Sequence, residues 1–145
     1  QIDLDRVVFP GRIPYNMYVS MMQRSDAHVY LTYPFVASWS LRESMAFGCA
    51  TIGSDTDPVR EFIVDGDNGL LTSFFDRQAL ADKVLELLEN KSLNTILRAG
   101  ARAYAEKRLR MDEYLASYRR LIERLTGQSL PIPVAQPPKR RRKAA

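Results

Sequence analysis

Tyr33-Pro34-Phe35-Val36-Ala37-Ser38-Trp39-Ser40-Leu41-Arg42-Glu43-Ser44-Met45-Ala46-Phe47-Gly48-Cys49-Ala50-Thr51-Ile52-Gly53-Ser54-Asp55 reads as a strand end, a polar loop, a short helix and the start of another strand. Ser40 and Glu43 have the spacing of a capping box, in which the serine and the glutamate satisfy each other's helix-start amides. Gly48 is placed to close that helix in a left-handed conformation. Ala50 to Gly53 is short and apolar enough for a buried strand. A helix starting just beyond a strand's carboxyl end aims free backbone N–H groups into the crevice where open α/β sheets bind ligands. Such a crevice suits a phosphate.

Working outward, 145 residues suffice for one domain with a real core, and 46% apolar with 10% aromatic content is ordinary for a globular fold. The formal charge of +4 belongs to the tail. Lys139-Arg140-Arg141-Arg142-Lys143 supplies five of the 21 basic residues, and without them the 16 that remain face 17 acidic ones. No apolar run approaches the roughly 18 residues that span a bilayer. The expected location is therefore cytoplasmic, with weak peripheral membrane contact through the tail, and nucleic acid is not the expected partner. Cys49, the single cysteine, sits in an apolar run and reads as a buried, inert thiol.

Towards the N-terminus, Val7-Val8-Phe9 reads as a buried strand ending in the Pro10-Gly11-Arg12 turn. Tyr15, Tyr18, Val19 and Met22 fall on one face of a helix, and residues 28–33 are rich in β-branched and aromatic side chains, as a strand requires. Towards the C-terminus, Asp57-Pro58 is a plausible cap and first position for a helix burying Val59, Phe62 and Ile63. Residues 65–69 form a turn before a Leu70-Leu71-Thr72 strand.

Three helical patterns follow: Leu80, Val84, Leu87 and Leu88, then Leu93, Leu97, Ala101 and Tyr104, then Met111, Tyr114, Leu115, Tyr118, Leu121, Ile122 and Leu125. The last stripe is expected to pack into the core of this chain, the alternative being that it needs a partner for cover. Alternating strands and helices imply βαβ units, hence an α/β fold with a parallel, Rossmann-like sheet of about four strands ending in helices. The expected division is a body of residues 1–127 and a disordered, proline- and arginine-rich basic tail of residues 128–145.

The opening stretch resembles the donor-binding segment of GT-B glycosyltransferases of the family-four, or group 1, type, in which two glutamates separated by seven residues flank a small-residue loop. Glu43-Ser44-Met45-Ala46 matches the second glutamate and its helix, while Phe35 stands where the first glutamate is found. The order of motifs, from the Gly11 turn through Glu43 and the Ser54 turn to the terminal helices, also resembles that family's C-terminal half-domain, with upstream strands and the acceptor domain missing. The resemblance implies transfer of a sugar from a nucleotide-sugar donor to an acceptor, with retention and without a metal or other cofactor.

On that resemblance, Glu43 would accept hydrogen bonds from the ribose hydroxyls. Ser38, Trp39, Ser40 and Leu41 would present backbone N–H groups to the diphosphate, and Arg12 could reach a phosphate. Capping alone is the plain reading of Glu43, packing that of Trp39, and a solvated turn that of Arg12. Glu61 matches a glutamate of supporting role. No residue here is assigned as catalytic, and Phe35 marks a subgroup that handles the sugar differently, the alternative being a loss of catalytic power. The expected partners are the nucleotide sugar and an N-terminal acceptor domain or partner subunit, so the isolated chain would be incomplete and inactive. The alternative is a non-catalytic α/β binding module or split-enzyme subunit acting through a protein partner. His28, with no second histidine, reads as structural.

Overall fold

Short runs of β-branched and apolar residues, each followed by a helical pattern, build a sheet of three parallel strands. In the computed structural model, which describes residues 3–131, β1 (His28–Tyr30), β2 (Thr51–Ser54) and β3 (Leu70–Thr72) lie in that order. His28 pairs with Thr51, and Ile52 pairs with Leu70. Helix α1 (Tyr15–Arg24) precedes β1, α2 (Trp39–Ala46) joins β1 to β2, and the single turn α3 (Asp57–Arg60) lies between β2 and β3. Helices α4 (Arg77–Glu89) and α5 (Lys91–Arg108) complete this first unit, which ends at Arg110. The parallel α/β architecture is the one the sequence pattern implies.

Two buried clusters hold the sheet. One joins Ala37, Leu41, Met45, Val59, Ile63, Ala101 and Ala105; the other joins Ala50, Ile52, Leu70, Leu87 and Leu97. Each fully buried leucine removes enough apolar surface from water to contribute roughly 1.5–3 kcal/mol. Helix α5 serves both, through Leu97 on one side and Ala101 and Ala105 on the other. Its polar residues fasten the helix ends around it. Asn94, 7% exposed, donates from Nδ2 to the carbonyls of Asp26 (2.7 Å) and Leu87 (3.1 Å). Arg98 donates to the carbonyls of Ser25 and Gln23, each at 2.7 Å, at the end of α1. Arg102 donates to the carbonyl of Ala46, the last residue of α2. Cations placed there satisfy orphan carbonyls and oppose the helix dipole.

Helix α2 ends as its sequence implies. Gly48 takes φ 68°, and the N–H groups of Cys49 and Gly48 donate to the carbonyls of Ser44 (2.9 Å) and Met45 (3.0 Å), the paired bonds of a Schellman motif.

Several local expectations are corrected. Residues 7–9 form no strand: Val8 and Phe9 are 81% and 83% exposed. A strand needs a neighbour to take its N–H and C=O groups, and among the described residues β1 pairs only with β2. The first strand stops at Tyr30, after which the chain turns out into a loop. Thr56, rather than Asp57, is the residue before α3, and Pro58 lies in the first turn.

The second unit begins at Met111. Its helix α6 (Met111–Thr126) carries the expected apolar stripe. Arg119 and Glu123 pair at 3.1 Å, and the Leu130 N–H donates to Glu123 at 2.9 Å. The basic run of residues 139–143, with the rest of the expected tail beyond residue 131, lies outside the described residues. No helix among those described is long and apolar enough to cross a membrane.

Candidate functional site

The loop from β1 to α2 is set by hydrogen bonds at both ends. Ser54, at the end of β2, accepts from the Thr32 N–H (3.0 Å) and donates to the Thr32 carbonyl (2.8 Å). At the other end the Ser38 N–H donates to the Tyr30 hydroxyl (3.0 Å). The chain therefore leaves the sheet at Tyr30 and enters α2 at a fixed place beside the carboxyl ends of β1 and β2.

Ser38, not Ser40, is the N-cap of α2, with extended dihedrals of φ −75° and ψ 166° and no side-chain bond into the first turn. Its hydroxyl lies 2.6 Å from that of Ser40 instead. The expected Ser40–Glu43 capping box is thus absent. A cap at Ser38 puts Leu41 at the position where a box needs its acid, and Leu41 is fully buried in the core. The first turn has no side-chain partner for its amides, and those of Trp39 and Ser40 lie on residues at least partly open to solvent, whereas Leu41 is fully buried.

Glu43 lies one turn further on, half-buried, and reaches sideways to α1. The Tyr18 hydroxyl donates to its Oε2 at 3.3 Å, a long bond for an O–H donor. Tyr18 is held edge-on to Phe47, with ring centroids 5.9 Å apart, and tilted against Tyr15 at 6.0 Å. Burial first, and then the neighbouring Glu43 charge, push the Tyr18 phenol above its usual range, which keeps it a donor. Glu43 is half-buried and does not turn into the apolar interior.

The structure thus brings Ser38, Trp39, Ser40 and Glu43 into one loop and helix start, whereas Leu41, expected beside them, is wholly buried in the core. Arg12 stays in the turn before α1 and makes no hydrogen bond or ion pair with another described residue. Tyr18 was legible only as one residue of an amphipathic stripe. Its contact with Glu43 depends on how α1 and α2 meet.

On its other flank α2 borders a cavity of about 540 Å³ lined by the 34–37 loop, Arg42, Asp57, Pro58, Glu61 and Phe62. Phe35, at the position of the missing glutamate, is 73% exposed and lines it. The Arg42 guanidinium carbon lies 5.3 Å from the Trp39 ring centroid and 5.1 Å from that of Phe62.

Other polar residues are taken up structurally. Arg60 grips Asp55 with two bonds, 2.6 and 2.9 Å, and this guanidinium holds the Asp55 carboxyl below its usual range. Cys49 is fully buried and donates to the Met22 carbonyl at 3.1 Å. Burial lowers the His28 pKa, and no group of metal-ligating side chains occurs among the described residues.

A family model described as glycosyl transferases group 1 matches residues 2–108. An uncharacterized glycosyltransferase of Methanocaldococcus jannaschii, MJ1069, is 23% identical over 122 residues, covering 83% of this chain and 31% of that protein. The phosphatidyl-myo-inositol mannosyltransferase of Mycolicibacterium smegmatis is 32% identical over 98 residues, covering 66% of this chain and 24% of that protein. The solved structure of Anabaena Alr3699/HepE in complex with UDP-glucose superposes with a TM-score of 0.64 at 20% identity, over 74% of this chain and 29% of that one. The chain spans less than a third of the length of these proteins.

Proposed function

The chain belongs to the family of glycosyl transferases group 1, and from that premise we propose that it forms the donor-binding part of an enzyme that moves a sugar from a nucleotide-sugar donor to an acceptor. The observation that carries this is the Glu43 carboxylate, steadied by Tyr18 and one turn into a helix whose first turn has no side-chain cap. An acceptor-only carboxylate suits the two vicinal hydroxyls of a ribose. The backbone N–H groups at the start of α2 suit the diphosphate, whose charge the helix dipole also favours by roughly 0.3–1 kcal/mol. That a similar fold is known with UDP-glucose supports the choice of ligand class.

In this mechanism the amides of α2 take up charge on the departing diphosphate as the bond to the sugar breaks. Glu43 holds the ribose so that the diphosphate meets those amides. Transfer proceeds with retention and without a metal, and the acceptor domain comes from chain outside this sequence or from a partner subunit. The present chain binds the donor weakly and does not turn it over alone. Arg12 contributes to phosphate attraction from the turn before α1.

Calorimetric titration of the chain with UDP-glucose, UDP and other nucleoside diphosphates tests the site. Glu43→Gln should weaken binding about tenfold, the loss of bonds to a charged acceptor. Unchanged affinity in that variant would remove Glu43 from the site. A second reading, a binding module or split-enzyme subunit working through a protein partner, draws on the apolar stripe of α6. It expects co-purification of a second chain and no nucleotide binding.

A further inference from the structure

We propose that α6 and the basic run that follows it in the sequence form an interfacial anchor for an anionic lipid surface. The helix lies along the surface with its apolar stripe at the acyl boundary, and the basic run meets the headgroups. This goes beyond the donor reading and uses none of the residues assigned to the donor.

The first support is the division of α6 itself. At about 100° per residue, the stripe from Met111 to Leu125 falls within roughly a third of the helix circumference, and Asp112, Glu113, Arg119, Arg120, Glu123 and Arg124 take the rest. Its 16 residues are too few, and with those charges too polar, to span a bilayer. Lying in the plane is what remains. The stripe also contains Tyr114 and Tyr118, one turn apart with ring centroids at 4.7 Å. In a dry core each phenol needs a protein partner, whereas at headgroup depth water and lipid oxygens serve.

The second support is where the charge lies. Asp112, Glu113 and Glu123 balance Arg119, Arg120 and Arg124, so α6 is neutral. Two of the three arginines are engaged within the helix: Arg119 pairs with Glu123 at 3.1 Å, and Arg120 donates to the Ser117 hydroxyl at 2.9 Å. Attraction to an anionic surface must therefore come from Lys139-Arg140-Arg141-Arg142-Lys143, which carries all of the chain's excess positive charge. From Thr126 to Lys139 the chain can extend at most about 45 Å, so helix and run can meet one surface. A protein core would take the stripe and leave the run unused, and nucleic acid would take the run and leave the stripe. An anionic bilayer takes both, and stable attachment to a bilayer requires two such signals together.

Co-sedimentation of the full chain with vesicles tests this. The vesicles are phosphatidylcholine alone, or phosphatidylcholine and phosphatidylglycerol in equal parts, at low and raised salt. Binding is expected to the anionic vesicles only, and to weaken as salt rises. Exchanging all five residues of the run for glutamine should weaken it about a hundredfold, and Leu121→Gln with Ile122→Gln about tenfold. A reporter shows where the stripe goes. In a Trp39→Phe background, which removes the single native tryptophan, Tyr118→Trp emission should shift to the blue and be quenched by brominated lipid.

No binding to either vesicle, or equal binding to both, overturns the proposal. So does binding that leaves the Tyr118→Trp reporter unquenched, because the run then acts without the helix. If Leu121→Gln with Ile122→Gln loses helical circular dichroism, the reporter and the glutamine-exchanged run still decide. Single- and double-stranded oligonucleotides are run in parallel, and binding to them without binding to vesicles assigns the run to nucleic acid instead. UDP-glucose affinity should be the same in the stripe and run variants as in the parent, which keeps this outcome separate from that of the donor site.

Discussion

The Tyr18 hydroxyl on α1 and the Glu43 carboxylate on α2 are joined across 3.3 Å. The bond is long and partly open to water, so its worth to stability is small, but it selects one direction for the carboxylate. Tyr18→Phe should leave the unfolding free energy within about 1 kcal/mol of the parent and weaken nucleotide-sugar binding about threefold to tenfold. Parallel urea melts and titrations separate the two effects. A variant that loses stability and affinity together would make Tyr18 a packing residue only.

Asn94 presents the reverse case, an almost fully buried amide that bonds the buried Leu87 carbonyl and the Asp26 carbonyl at a partly open edge. Asn94→Ala removes both bonds and strands the Leu87 oxygen. The expected loss is about 2–3 kcal/mol, read as a lower urea midpoint at an unchanged slope.

Gly100, in the middle of α5, pits helix propensity against sterics. Alanine favours a helix interior by about 1 kcal/mol over glycine, yet a Cβ here would collide with the Asp67 carbonyl oxygen and fall 3.2 Å from the Asn68 Cα. Both obstacles are backbone, so the turn before β3 must move. Gly100→Ala should therefore destabilise by about 1–3 kcal/mol net; a rise in thermal midpoint would show that the turn yields freely.

Cys49 gives a pH-dependent outcome. Burial raises its thiol pKa above the usual 9.0, with Arg98 opposing more weakly. Between the unfolded and folded values the unfolded chain has lost this proton and the native chain has kept it, so the contribution to stability is intact below about pH 9 and drains away as pH rises through the folded value. Cys49→Ala should flatten that alkaline decline. In the parent at about pH 8, where an unfolded thiol is already partly ionised, iodoacetamide should label the thiol only once urea unfolds the chain; labelling at the same rate in native buffer would contradict the burial.

How far the sequence could be read depended on whether a feature was local. The stop of α2 at Gly48 and the stripes of α4 and α5 follow from neighbouring residues alone, and they form. The start of α2 did not, because Ser38 and Ser40 are both good caps and only the burial of Leu41 decides between them. Residues 7–9 have the composition of a strand without a ladder to join. The Tyr18–Glu43 bond and the stacking of Arg42 on Phe62 join residues from separate elements, and no spacing in the chain announces either one.

Arg98 and Arg102, one turn apart on α5, each grasp the last carbonyls of a different helix, α1 and α2 respectively. The two helices that carry Tyr18 and Glu43 are consequently moored to a common post at their C-terminal ends. Their hydroxyl and carboxylate keep station because the far ends are held together, and loosening either tether would blur the proposed seat of the donor from the opposite rim of the sheet.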